Sequence, residues 1–221
     1  MLHHSDSPLY RPSPLNALRS LAALIALVFG GVAAFGLAPE PDVVPRRWQL
    51  TVEPGPLRIT SIDTPGIGPR AYYYFTYKVT NTSTGDLLFA PVFELSSNEG
   101  DISRGGRDVP ADAARQIWAS LEDPDLLDQI GIVGTLLTGE ENAKEGLVIW
   151  PAANLHPDTI SVYAAGFSGE TKVVPIIDPK TKKASNRTLR KTLMLRYGSP
   201  GELRDLSAVP FNLEEKRWIM R

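Results

Sequence analysis

The chain has no cysteine among its 221 residues. That removes disulfides, thiolate nucleophiles, iron–sulfur clusters and cysteine zinc sites together. It leaves the compartment open, because a chain without thiols suits an oxidising or a reducing space equally. Histidine is nearly as scarce: His3 and His4 stand at the N-terminus and His156 is alone in the body of the chain. No His-Glu-x-x-His and no Gly-x-Ser-x-Gly occurs, and neither Gly30-Gly31 nor Gly105-Gly106 opens a phosphate loop. An excess of one charge is lacking too: 23 Lys and Arg against 25 Asp and Glu give a net charge of -2. A chain-wide nucleic-acid surface is therefore not expected. No internal repeat of about 20 to 50 residues is visible. What is present is a composition of 43% hydrophobic and 22% charged residues, which excludes chain-wide disorder and fibrous architecture. Nineteen prolines and eighteen glycines favour many turns and short elements over long helices.

Charge is absent from Ser20 to Pro39, and Leu21 to Ala38 form a continuous apolar stretch. As a helix it is about 27 Å long, enough to cross a hydrocarbon core. Arg11 and Arg19 precede it, while Glu40 and Asp42 follow, so the positive-inside bias predicts a cytoplasmic tail at 1–20. The expected order is then a single transmembrane helix at 21–38, a Pro-rich spacer at 39–47 and an exterior domain at 48–221, periplasmic or at the cell surface. A cleaved signal peptide shares this charge order, and Val32-Ala33-Ala34 and Gly36-Leu37-Ala38 are weak cleavage candidates. The uncleaved anchor is preferred because the stretch exceeds the roughly 7 to 15 residues of a signal-peptide core. Ala22, Ala26, Gly30, Ala34 and Ala38 recur every four residues, a stripe along which a second helix can approach in self-association. Ordinary composition of an apolar segment accounts for the same spacing.

From Trp48 the apolar pattern becomes alternating. Trp48 to Val52 and Leu57 to Ser61 read as two strands joined by a turn at Pro54-Gly55-Pro56. Ala71 to Thr80 is the clearest strand, and Leu87 to Ser96, interrupted by Pro91, is expected to pair with it as a hairpin. Pro110 begins a helical pattern that places Ala113, Ala114, Ile117 and Leu121 on one face. Asp123-Pro124 restarts a short helix, so 110–130 reads as a helical insertion. Ile132 to Leu137 reads as a strand or a helix end. Strands at Glu145 to Pro151, Thr159 to Phe167, Thr171 to Ile177, Thr188 to Tyr197 and Lys216 to Met220 bring the expected number to about nine. Close strand spacing without regular helices between them predicts a mainly β fold, an antiparallel sandwich rather than a parallel sheet.

One order of features resembles the immunoglobulin-like sandwiches that bacteria hold outside the cell on a lipid or helix anchor. It runs from Tyr72-Tyr73-Tyr74-Phe75-Thr76-Tyr77-Lys78-Val79-Thr80-Asn81-Thr82-Ser83 through Phe93-Glu94-Leu95 and Gly100. It continues with Gly139-Glu140-Glu141-Asn142, Gly146-Leu147-Val148-Ile149-Trp150-Pro151 and Ile160-Ser161-Val162-Tyr163. The resemblance covers about half of the chain, and its motifs are those of strand and turn chemistry. It implies a non-catalytic extracytoplasmic module and carries over no functional residue.

Candidate chemistry is sparse. His156 lies in a Pro-bounded turn, Pro151 to Pro157, and reads as a loop residue. Glu122, Asp123, Asp125 and Asp128 crowd one segment, but the central glycine and terminal glutamate of a calcium loop are missing and helix-start charges explain two of them. Glu140, Glu141 and Glu145 are carboxylates of a solvated turn before they are an acid–base pair. Asn81-Thr82-Ser83 and Asn186-Arg187-Thr188 fit the glycosylation triplet, and both sit where a turn favours asparagine. The strongest signal is basic: Lys180, Lys182, Lys183, Arg187, Arg190 and Lys191 oppose only Asp178, a local charge of +5 on an expected hairpin. Such a tip suits anionic headgroups, an envelope polymer or an acidic protein, and it also suits plain solubility. Nucleic acid is disfavoured because no aromatic interleaves with these charges.

The sequence thus predicts a non-enzymatic, membrane-anchored module that binds a protein or envelope component, with no cofactor and no metal. Two alternatives stay open: a carbohydrate-active or other hydrolytic domain using Glu140, Glu141 or Asp128, and a secreted soluble ligand-binding protein.

Overall fold

Successive side chains of a strand point to opposite faces, so Tyr73, Phe75, Tyr77 and Val79 share one side. All four are buried in the main core. The strand that carries them is β2 (Gly68–Asn81), an interior strand of a four-stranded sheet. In that sheet β1 (Thr51–Thr64) pairs with β2, then comes β8 (Gly139–Pro151), and β6 (Leu126–Leu127) lies at the far edge. The pairings are antiparallel except for β6, which runs parallel to β8. The computed structural model describes residues 38–45, 47–64, 66, 68–152, 157–178, 180–199 and 210–221, and the expected tail and nearly all of the expected membrane segment fall outside these. Among the described residues no helix is long and apolar enough to cross a membrane.

A second sheet orders β10 (Thr171–Ile177), β11 (Ala184–Gly198), β9 (Thr159–Ala165), β4 (Val92–Ser97) and β5 (Ile102–Arg104), with β12 (Asn212–Met220) on the other side of β11. A small ladder of β3 (Leu87–Phe89) and β7 (Gly134–Leu136) completes the described strands. The two large sheets share one core. Leu57, Ile59, Val148 and Trp150 from the first meet Phe93, Leu95, Val162, Leu193 and Leu195 from the second. Aromatic rings bridge the layers, with Tyr77 and Phe93 centroids 4.8 Å apart and Phe167 set edge-on to Phe89 at 5.1 Å. The architecture is mainly β and packs as a β-sandwich. With no cysteine to link the sheets, burial holds them, at about 1.5–3 kcal/mol for each large apolar side chain. The same burial pushes the Tyr73 phenol up to about 12 and raises those of Tyr77 and Tyr197.

The helical insertion has a structural role. Helix α1 (Ala111–Ser120) starts after Pro110, whose fixed backbone suits a helix entry, and buries Ala113 and Ile117. These pack on Tyr72, Leu147 and Ile149, which face away from the main core. The helix therefore covers the outer side of the first sheet.

Several local expectations are corrected. Pro54-Gly55-Pro56 does not turn the chain; it is a bulge within one fourteen-residue strand, between the pairs Pro54–Tyr77 and Leu57–Phe75. Gly55 presses so closely on β2 that a Cβ would stand 2.6 Å from Thr76 Oγ1 and 2.9 Å from the Thr76 carbonyl oxygen. Residues 87–96 do not pair with β2. Pro91, which has no N–H for a ladder, divides them, and β3 pairs with β7 while β4 joins the second sheet. The helix expected after Asp123-Pro124 is replaced by β6, because Leu126 buries to 1% exposure beneath α1 while its backbone pairs with β8. The turn expected over Thr138-Gly139-Glu140-Glu141-Asn142 is, from Gly139 on, the first part of β8. Twelve strands are described where about nine were expected.

Candidate functional site

The basic segment maps onto a hairpin that leaves the sandwich. From Leu193 to Gly198, β11 is held between β9 and β12. From Ala184 to Arg190 it pairs with β10, whose partners run from Thr171–Arg190 to Ile177–Ala184. On the opposite edge Arg190 exchanges backbone hydrogen bonds of 2.7 and 3.0 Å with Arg221. Beyond Arg190, among the described residues, no strand lies along that edge. The outer part is thus a two-stranded ribbon with a rise of about 20 Å.

Its two faces differ. Val173, Pro175 and Ile177 alternate along one face of β10 and stand opposite Thr188, Asn186 and Ala184. All six are exposed, Val173 at 62% and Ile177 at 67%, and none is charged. The other face carries Lys172, Val174 and Ile176 opposite Leu189, Arg187 and Ser185. At the tip, Asp178 accepts backbone N–H bonds from Lys180 at 2.7 Å and Thr181 at 2.9 Å. These bonds hold its carboxyl below the usual aspartate range and fasten the turn. Lys182 has a φ of 58°, and Lys180, Lys182 and Lys183 are all exposed. Arg187 and Arg190 are exposed too, so five of the six predicted cations form a solvent-facing set.

Lys191 does not join them. It shares its side of β11 with Leu193, Leu195 and Tyr197 and points inward, 3% exposed. A buried ammonium needs a counter-charge. Its Nζ donates to Glu170 Oε2 at 2.9 Å, contacts the Asp42 carbonyl at 3.4 Å and lies 5.6 Å from the Trp218 ring centroid. Burial alone would push the Glu170 carboxyl up. The hydrogen bonds from Lys191 and from the Asp42 N–H, with the charge of Lys191, outweigh that and hold it below the ordinary glutamate range. The pair fixes the root of the ribbon and also fastens the spacer, since the Asp42 N–H reaches Glu170 Oε1 at 2.8 Å. Lys172 Nζ adds a contact to Asp42 Oδ1 at 3.1 Å and a hydrogen bond to the Glu40 carbonyl.

The remaining candidates are dispersed. Asp128 accepts N–H bonds from Ile130 and Gly131 and borders a groove of about 300 Å³ beside α1, with Trp118 and Ile130. Glu140 and Glu141 lie on β8, which meets β6 only at Glu145 and Gly146. They are therefore about 15 Å or more along the sheet from the strand end that leads to Asp128. Among the described residues no three His, Cys, Asp or Glu side chains cluster as metal ligands. Asn81 is fully buried: its Nδ2 donates to the carbonyls of Gly85 and Leu136, and its Oδ1 accepts from Ser83. It is a turn-forming residue with no free amide for a sugar, whereas Asn186 stands exposed on the ribbon. His156 lies outside the described residues. A cleft of about 510 Å³ with a mixed lining opens between the edges of the two sheets, bordered in part by Arg47, Trp48, Leu50, Val52, Lys216 and Trp218. Lys216 Nζ is committed there to the Val52 carbonyl at 2.8 Å.

Sequence reasoning found the cations and missed the uncharged face beside them. Its trace was Val173-x-Pro175-x-Ile177, an alternation whose central proline marks a strand with an open edge. It also missed the Glu170–Lys191 pair, for which residue order offers no local cue. Compared with protein-family models, with curated proteins and with solved structures, the chain matches none.

Proposed function

We propose that the protein is a non-enzymatic, membrane-anchored extracytoplasmic module whose sandwich presents a binding surface to a protein or envelope component. The observation that carries this reading is the β10–β11 ribbon, which places five exposed cations and an uncharged face on a rigid two-sheet body. The apolar stretch at 21–38, with arginines before it and carboxylates after it, supports the anchor and its orientation. Two facing, mostly antiparallel sheets with Trp150 fully buried between them support an immunoglobulin-like kind of sandwich. The dispersal of Asp128, Glu140 and Glu141 favours a binding role over the hydrolytic alternative.

The test is fractionation of cells expressing the full chain, combined with intact-mass measurement and protease treatment from outside. The expected outcome is an unprocessed chain that stays with membranes after alkaline extraction and is cut only within 48–221. A mature chain lacking residues 1–38, released without detergent, would instead establish the secreted form.

A further inference from the structure

The ribbon combines features that point to a specific surface. Lys180, Lys182 and Lys183 are exposed at its tip, and the one carboxylate there, Asp178, is already turned inward to the backbone of the turn. Behind the tip, Val173, Pro175, Ile177, Ala184, Asn186 and Thr188 form an uncharged stretch of one face that lies open to solvent and is bounded at the root by Arg190. Cations at the ends of an exposed uncharged stretch that holds Val173, Pro175, Ile177 and Ala184 form the pattern of an interfacial element, whose apolar groups enter the headgroup boundary while its charges meet anionic lipid. Both outer edges of the ribbon leave N–H and C=O groups unpaired by any described strand. Those groups need water or headgroups, which keeps such a ribbon in the interfacial layer and out of the hydrocarbon.

The path of the chain selects a bilayer over an acidic protein. Asp42 bonds to Glu170 and Lys191 at the root of the ribbon, and Lys172 Nζ there contacts both Asp42 Oδ1 and the Glu40 carbonyl, so the spacer is fastened at the root through Glu40. Two residues before Glu40 stands Ala38, where the uninterrupted apolar stretch ends in the sequence. The root of the ribbon is therefore within about 15 Å of the end of that stretch, given the reach of the four residues from Asp42 to Ala38.

We infer that the β10–β11 ribbon docks on the anionic headgroup surface of the bilayer that residues 21–38 enter, with Lys180, Lys182 and Lys183 on lipid phosphates and the Val173, Pro175 and Ile177 face turned to the lipid. This rests on the anchor reading above. It makes the sandwich a body held at the membrane by two points instead of one, and it leaves the opposite side of the domain free.

The natural chain has no cysteine, so single labels are specific. The full chain with Ala184→Cys carries a nitroxide at the ribbon tip, and a second sample with Leu24→Cys carries one in the apolar stretch. Both are placed in nanodiscs of phosphatidylcholine, with and without phosphatidylglycerol. The Leu24 label is expected to sit in lipid in both compositions. The Ala184 label is expected to become shielded from a water-soluble relaxation agent only with phosphatidylglycerol, to be released by high salt, and to dock about 100-fold more weakly in K180Q/K182Q/K183Q. A Leu24 label in lipid beside an Ala184 label that stays in water in both compositions overturns the docking and leaves the anchor standing. A Leu24 label in water overturns the anchor and the docking with it. Shielding of Ala184 that ignores lipid composition and appears only on adding an acidic protein assigns the ribbon to a protein partner and also overturns the inference.

Discussion

Along β11 one alternating strand serves two environments. From Lys191 to Tyr197 its inward residues face the opposing sheet, and Leu193, Leu195 and Tyr197 are nearly or wholly buried. From Ala184 to Arg190 no second sheet stands opposite among the described residues, and all but Leu189 are exposed. The backbone geometry is the same in both halves. What changes is the presence of a layer to pack against, and the residue types follow it: apolar side chains fill the inner half, and the outer half carries Arg187 and Arg190. Lys191 stands at the boundary, inward like its core neighbours and charged like its outer ones. It is tolerated there because Glu170 neutralises it.

Breaking the two halves in turn should give very different costs. Leu195→Ala removes a wholly buried side chain and should lower unfolding stability by about 3–4 kcal/mol in denaturant titration, whereas Val173→Ala on the ribbon should stay within about 0.5 kcal/mol. At the boundary, Lys191→Met strands the Glu170 carboxylate and should cost about 3 kcal/mol. The double variant K191M/E170M, which removes both charges, should recover most of that loss by the same measurement. Acid should act through the same pair. The Glu170 carboxyl is held below its ordinary value in the fold, so its contribution is present above the ordinary glutamate range and is lost as pH falls through the lowered value. Melting curves should show this acid-dependent loss in the natural chain and a smaller one in K191M. The smallest effect on stability belongs to the tip, where K180Q/K182Q/K183Q should leave the melting temperature unchanged while weakening association with anionic membranes.

These regions differed in how openly the residue order announced them. β2 was legible because its strict alternation needs no partner to be recognised, and α1 because Ala113, Ile117 and Leu121 keep helical spacing behind Pro110. β6 was not, since two leucines after Asp123-Pro124 carry no period and only the edge of β8 makes them a strand. The bulge at Gly55 was hidden for a similar reason: a Pro-Gly-Pro turn and a Pro-Gly-Pro bulge differ in whether β2 presses against the glycine. In the candidate site the exposed lysines were visible as a run of charge. The inward aim of Lys191 was also written in the sequence, through its even spacing from Leu193, Leu195 and Tyr197, but a run of cations around it masks that phase. Its partner, 21 residues away, becomes apparent only once the strands are paired.

The central claim is that the inner half of β11 is structure and the outer half is a contact surface. Amide hydrogen exchange on the full chain in nanodiscs tests it directly, because β11 supplies both halves in one strand. The amides from Leu193 to Tyr197 should exchange as slowly as global unfolding allows in every lipid. Those at Ser185 and Arg187 to Leu189 should exchange orders of magnitude faster in phosphatidylcholine and slow markedly when phosphatidylglycerol is present. Equal protection of the two halves, or an outer half indifferent to anionic lipid, would contradict the account.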